Sequence, residues 1–183
     1  MAFWQQDYFL FPKSKLIAHY GKVPKKFTIK DLDGTRWWLD LPPPDTTEIE
    51  GFLPRVDSRY HLLDMWGENS KNSFQIFYKK DRKQIESVGV RFDLRTEHLV
   101  LAEFTRKFVA FASRNDLVFL SCETSTLLPP TYKMIAASLF LSEAQSHVID
   151  PTSEIIEERI RNGGVEELLP VLRLPFQEED LQE

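Results

Sequence analysis

A chain of 183 residues that is 42% hydrophobic and 13% aromatic, with 14 Phe and 4 Trp, has ample material for a core, which excludes a wholly disordered polypeptide. Its single cysteine, Cys122, excludes an intramolecular disulfide and any zinc site built on several thiolates, and fits a reducing, cytoplasmic setting. The net charge of −5 conceals a segregation. Residues 1–36 hold seven Lys/Arg against three Asp/Glu, residues 71–115 ten against five, and residues 143–183 three against eleven.

The start of the chain, Met1-Ala-Phe-Trp-Gln-Gln-Asp, lacks the basic n-region of a secretory signal, and the apolar run at 8–11 is too short for an h-region. No stretch approaches the ~20 apolar residues that span a bilayer. A single domain is expected over 1–183: an N-terminal strand layer (1–41), a Pro-rich connector (42–58), an α+β body (59–150) and an acidic helical tail (151–183). In the first part, residues 27–31 and 36–41 read as strands, joined at Asp33-Gly34, a good hairpin turn because Gly takes positive φ at no steric cost. Trp37 and Trp38 then point to opposite faces, one into the core and the other partly exposed. Pro42-Pro43-Pro44 stops any ladder, since proline has no N–H to donate.

In the body, residues 74–80 alternate as a strand, and a polar turn at 81–84 leads to a second strand at 85–95, making an antiparallel hairpin. Thr96 is placed to N-cap a helix over 97–114, with Glu97 favouring its first turn. Leu101, Phe104, Phe108 and Phe111 recur at helical spacing on one buried stripe. Residues 117–122 form a continuous apolar run, the mark of a strand covered on both faces. Thr131 caps a long helix to about Ile149. Asp150-Pro151 opens another, which Asn162-Gly163-Gly164 closes. The predicted fold class is α+β, an antiparallel or mixed sheet with helices packed mainly on one face.

The chemistry-bearing patterns are few. No glycine-rich loop lies between a strand and a helix, and no Gly-x-Ser-x-Gly elbow occurs. His19, His61, His98 and His147 fall in separate segments without metal-ligand spacing. These absences predict no cofactor, no metal site and no catalytic set, and point away from an enzyme. The sharpest positive feature is Arg91-x-Asp93-x-Arg95. On one strand face the two guanidiniums can clamp a carboxylate or phosphate with Asp93 orienting them, or the three can form an ordinary ion-pair row. A Cys122–His61 or Cys122–His98 pair offers thiolate chemistry, and Glu123 with Asp93 an acid–base pair, if the fold brings them together. Trp66, read at a loop edge before the turn at 67–72, serves either as a partner anchor or as a lid on the sheet. Lys79, Lys80, Arg82 and Lys83 at a hairpin tip make a weak nucleic-acid footprint, which the acidic overall balance argues against.

The expectation drawn from these patterns is a non-enzymatic protein-binding module. A basic protein partner is steered by an acidic surface of Glu154, Glu157, Glu158, Glu166 and Glu167, and Trp66, or one of Trp37 and Trp38, anchors it. In composition the chain resembles small acidic α+β binding proteins such as bacterial immunity or adaptor proteins, a likeness no motif carries. The alternative is a small-anion-binding protein or enzyme using Arg91, Asp93 and Arg95. A homo-oligomer paired through strand edges or helix faces is a third reading. Neither nucleic acid nor membrane is an expected partner.

Overall fold

The computed structural model describes residues 4–28, 31, 33–58 and 60–149. Its frame is a seven-stranded sheet: β1 (Gln5–Pro12), β2 (Arg55–Val56), β3 (Leu63–Gly67), β4 (Ser73–Tyr78), β5 (Ile85–Asp93), β6 (Leu117–Ser121) and β7 (Leu127–Leu128). The spatial order is β2-β3-β4-β5-β1-β6-β7, with neighbours antiparallel throughout. The strand nearest the N-terminus therefore lies inside the sheet, paired to β5 on one side (Tyr8 opposite Val90) and to β6 on the other (Leu10 opposite Phe119). β1, from the 1–41 region, is thus a strand of the body's own sheet.

Register decides which side chains meet. Tyr8, Leu10, Phe74, Ile76, Val88, Val90, Phe92 and Phe119 share the inner face. Against it α4 (His98–Arg114) lays Phe104, Phe108 and Phe111, and α5 (Tyr132–Phe140) adds Met134, Ile135 and Leu139. The helical stripe and both strands of the 74–95 hairpin thus stand where alternation put them. The rings pack edge to face, Tyr8 on Phe92 at 5.6 Å and on Phe119 at 5.9 Å, Phe92 on Phe104 at 5.3 Å. Such pairs add ~0.5–1.5 kcal/mol to the stabilisation from burial itself. Tyr8 donates its hydroxyl to Ser138 Oγ at 2.8 Å, which satisfies a polar group at the centre of the core.

Several local readings change. Gly34–Trp37 is a helical turn, α2, in place of the second strand of an N-terminal hairpin. Asp31 accepts from Thr28 N and Oγ1 (2.9 and 2.6 Å), and its carbonyl accepts Trp37 Nε1–H at 2.9 Å. Trp37 stacks on Phe27 at 5.5 Å over the outer side of β6, together with Phe11 and with Leu16 of α1 (Lys13–Tyr20). Trp38 turns into the main core, so both tryptophans are buried, at 2% and 3% exposure. Within 42–58 a short helix, α3 (Thr47–Glu50), and β2 follow the prolines. Glu97, not Thr96, occupies the N-cap of α4, while Thr96 Oγ1 accepts from Asn72 Nδ2 at 3.1 Å. The long helix breaks at 141–142: Ser142 Oγ donates to Leu139 O (2.7 Å) and accepts from Gln145 N (3.2 Å), starting α6 (Glu143–Ile149) afresh. A serine that offers the backbone a competing partner ends one helix and caps the next.

Phe108 is fully buried between α4 and the sheet, whereas Phe9 of β1, on the opposite face, is 39% exposed. Phe108→Ala is expected to cost about 3–5 kcal/mol, the range for a core Phe truncation. Phe9→Ala is expected to cost less than about 1 kcal/mol, because little of its contact area is lost. Urea denaturation of both variants checks the difference.

Candidate functional site

The outward side chains of β5 and β1 meet the β3–β4 turn, and there the arginine row acquires its partners. Arg91 lies opposite Asp7 in the ladder. Its Nε and Nη2 donate to Asp7 Oδ1 and Oδ2 at 2.7 and 2.8 Å, a bidentate pair in which each side chain is 18% exposed. Nη1 donates to both the backbone O (2.9 Å) and Oδ1 (2.7 Å) of Asn69. Asp93 turns away from Arg91 and takes Arg95 instead, accepting from Nε at 3.0 Å and Nη2 at 2.7 Å. Arg95 also lies over the Trp4 ring at 4.2 Å. Two guanidiniums are thus matched by two carboxylates, one of them supplied from β1.

The turn that completes this arrangement depends on Gly67. Its φ is +77°, and a Cβ there would stand 2.4 Å from the Asn72 carbonyl oxygen, so only glycine fits. The tight return places Asn69 under Arg91 and Asn72 beside β5, where Asn72 Oδ1 accepts Asp93 N–H at 2.7 Å. Gln5 and Gln75 also donate to Asn69, at 3.3 and 3.1 Å. The cluster laces β1, β4, β5 and the turn into one polar layer.

The other anticipated pairs do not assemble. β3, which His61 precedes, and β6, which Cys122 follows, are four strands apart in the sheet, roughly 19 Å at the usual strand spacing. His98 opens α4 on the inner side, and Cys122 continues the outward alternation of Val118 and Leu120. Cys122 is exposed as a residue, yet local desolvation of its sulfur, helped by the nearby Asp7 carboxylate, pushes the thiol up to about 12. That is the opposite of a reactive thiolate. Glu123 accepts Glu143 N–H at 3.1 Å at the start of α6, and burial raises its pKa. Asp93, already bidentate with Arg95, takes no part in an acid–base pair with it.

Trp66 is buried at 2% exposure within β3, and so does not stand at a loop edge. As part of β3 it faces inward against Phe74 at 5.4 Å, with the Arg55 guanidinium 5.4 Å from its ring. Of the basic hairpin tip, Arg82 is engaged by Asp64 at 2.8 Å and lies 4.5 Å over the Tyr78 ring. Lys79, Lys80 and Lys83 are exposed. Glu154, Glu157, Glu158, Glu166 and Glu167, and the helix read from Asp150-Pro151, lie outside the described residues.

One surface was not read from the sequence. Across β2, β3 and β4 the outer face stays half-exposed at Val56, Leu63, Met65 and Phe77, and it continues through Gly89 to Phe9. The signal was present in the alternation of β4, where Phe77 breaks the polar face. Among the described residues, no three His, Cys, Asp or Glu side chains gather as metal ligands do, and no helix is long and apolar enough to cross a membrane. No family model, curated protein or solved structure matches the chain.

Removing one member of the half-buried Asp7–Arg91 pair leaves the other short of a partner. Arg91→Met and Asp7→Asn should each cost about 1–2 kcal/mol, allowing for solvent screening. In a double-mutant cycle the pair should cost less than the sum of the two, whereas Arg95→Met, on the more exposed pair, should cost less than either single change. For Cys122 the folded protein favours the neutral thiol. That contribution is complete below the unfolded value of about 8.5 and is lost as pH rises through 12. Iodoacetamide should accordingly modify the native protein at pH 8 at least tenfold more slowly than the urea-unfolded chain, the gap closing only above about pH 11.

Proposed function

We propose that this protein is a non-enzymatic protein-binding module of the adaptor or immunity kind, engaging a basic partner through Glu154, Glu157, Glu158, Glu166 and Glu167 of its acidic C-terminal part. The observation that carries the reading is the internal neutralisation of the arginine row. Arg91 is held bidentately by Asp7 and Arg95 by Asp93, so an incoming anion competes with a carboxylate already in place. Truncating such a pair from either side is unfavourable, and displacing it by a ligand carries a similar penalty.

Two further observations support a macromolecular partner. The half-exposed outer sheet face carries Met65 and Phe77 on the neighbouring strands β3 and β4 and, beyond Gln75 and Gly89, Phe9 on β1, a mixture of apolar and polar side chains in which interfaces place their anchors. Residues 150–183 hold ten Asp/Glu against three Lys/Arg, a charge density that speeds encounter with a basic surface. The alternative, a small-anion site or enzyme at Arg91, Asp93 and Arg95, retains one point in its favour: the Arg95 side chain is 48% exposed.

The test has two arms. Thermal unfolding is followed with phosphate, sulfate and citrate, and a partner captured from source cells is purified and its association measured at low and moderate salt. The expected result is a melting temperature that anions raise no more than sodium chloride does. A variant with the five glutamates changed to Gln should associate at least tenfold more slowly and with a flatter salt dependence. Anion stabilisation abolished by Arg95→Met, with no effect of the five changes on association, would establish the alternative.

A further inference from the structure

Gly89, in the middle of β5, has no role in the fold that its surroundings demand. Its φ is outside the left-handed region, and a Cβ there would meet only Tyr8 O at 3.6 Å and Phe9 Cδ1 at 3.9 Å, ordinary contacts. The register shift of the β4–β5 pair falls elsewhere, at Phe77/Tyr78. The strand thus keeps a residue that weakens it where a small side chain fits. A strand-interior glycine without a bulge marks a place where another group comes close to the backbone. Phe9 stands opposite Gly89 on β1 and Gln75 on β4, with Phe77 the next outward residue along β4 and Ser87 opposite it. At the usual strand spacing and rise, Phe9 and Phe77 lie roughly 12 Å apart, and only the small residues Ser87 and Gly89 occupy β5 between them.

The tip of the β4–β5 hairpin borders this face. By alternation Lys79 follows Phe77 on the same side of the strand. Lys79, Lys80 and Lys83 are exposed and make no ion pair among the described residues. Between Phe77 and Ser87 four Lys/Arg stand against two acidic residues, Asp81 and Glu86. Tyr60, 52% exposed, lies beside the tip, since Leu62 O accepts Tyr78 N–H at 2.8 Å and His61 O accepts from Arg82. The acidity that argues against nucleic acid for the whole chain is not carried by this part of it. Residues 1–149 hold 20 Lys/Arg and 18 Asp/Glu, residues 150–183 three and ten.

Half-exposed rings on an open antiparallel sheet, a backbone that a flat group can approach and unpaired lysines at one end form a set. Aromatic faces take bases, and ammonium groups take phosphates. A protein partner could use the rings alone, but lysines that no described carboxylate neutralises select a polyanion. We propose that the outer face from Phe9 across Gly89 to Phe77, continued by Lys79, Lys80 and Lys83, binds single-stranded nucleic acid. The stretch it covers is about four nucleotides, the lower end of the usual range for such platforms. The inference does not rest on the protein-binding reading.

Fluorescence anisotropy of the full-length protein with a labelled oligothymidylate of about twelve nucleotides tests this, with duplex DNA and polyglutamate as competitors. The expected affinity falls about 20-fold between about 50 and 200 mM salt, the slope for about three phosphates neutralised on a single strand. Phe9→Ala and Phe77→Ala should each weaken binding at least fivefold, and changing the three lysines to Ala should flatten the salt dependence. Gly89→Ala should weaken binding without lowering the urea midpoint, which separates a lost contact from a damaged fold. No binding by the wild type at low salt overturns the proposal. So does duplex or polyglutamate competing as well as the single strand, or affinity unchanged in both Phe→Ala variants, because charge alone would then be at work. Capture of a protein that Phe77→Ala releases, with no oligonucleotide bound, assigns the face to a protein and overturns it as well.

Discussion

The rest of the structure hangs on the insertion of β1 between β5 and β6. Without it the sheet is two pieces, the β2–β5 meander and the β6–β7 pair, with no hydrogen bonds between them. With it, Tyr8 reaches Phe92 on one neighbour and Phe119 on the other, and its hydroxyl reaches Ser138 on α5. One side chain thus touches both halves of the sheet and the helix layer. The same strand turns Asp7 outward, directly opposite Arg91. The inner core and the outer polar cluster therefore rest on a single pairing, and a one-residue slip of β1 would lose both by exchanging its two faces.

That pairing explains why the arginine row is a structural device before it is a binding site. Three charges on one strand looked like a clamp awaiting an anion. The anion is already present, as the carboxylate of Asp7, and Asn69 fills the remaining front of Arg91 from a turn that only Gly67 permits. Charge that is matched at hydrogen-bonding distance contributes little to long-range attraction. What the described residues leave half-exposed is of another kind, an apolar stretch of the outer sheet face.

The legible parts of this fold were those whose signals are local. Val88, Val90 and Phe92 alternate with Gly89, Arg91 and Asp93, and Phe104, Phe108 and Phe111 keep helical spacing, so the 74–95 hairpin and α4 were readable from neighbouring residues alone. β1 was not. Its run of Tyr8, Phe9, Leu10 and Phe11 is apolar on both faces because the outer face is covered at Phe11 and open at Phe9, and its partners stand more than 75 residues away. Asp7 therefore carried no sign of Arg91, 84 positions later. The Asp33-Gly34 turn misled for the converse reason: a sound local signal was overridden by Phe27 and Trp37 packing over β6. Ser142 ended a helix that hydrophobic spacing alone continues.

Amide hydrogen exchange across the sheet tests the role of β1 most directly. If this strand holds the two halves together, the amides of Phe9, Leu10 and Phe11 open only with global unfolding and exchange as slowly as those of Val90 and Phe119, far more slowly than Val56 on the edge strand. Exchange of the β1 amides at the rate of Val56, with β5 and β6 still protected, would contradict the account, because the sheet would then hold without its inner strand.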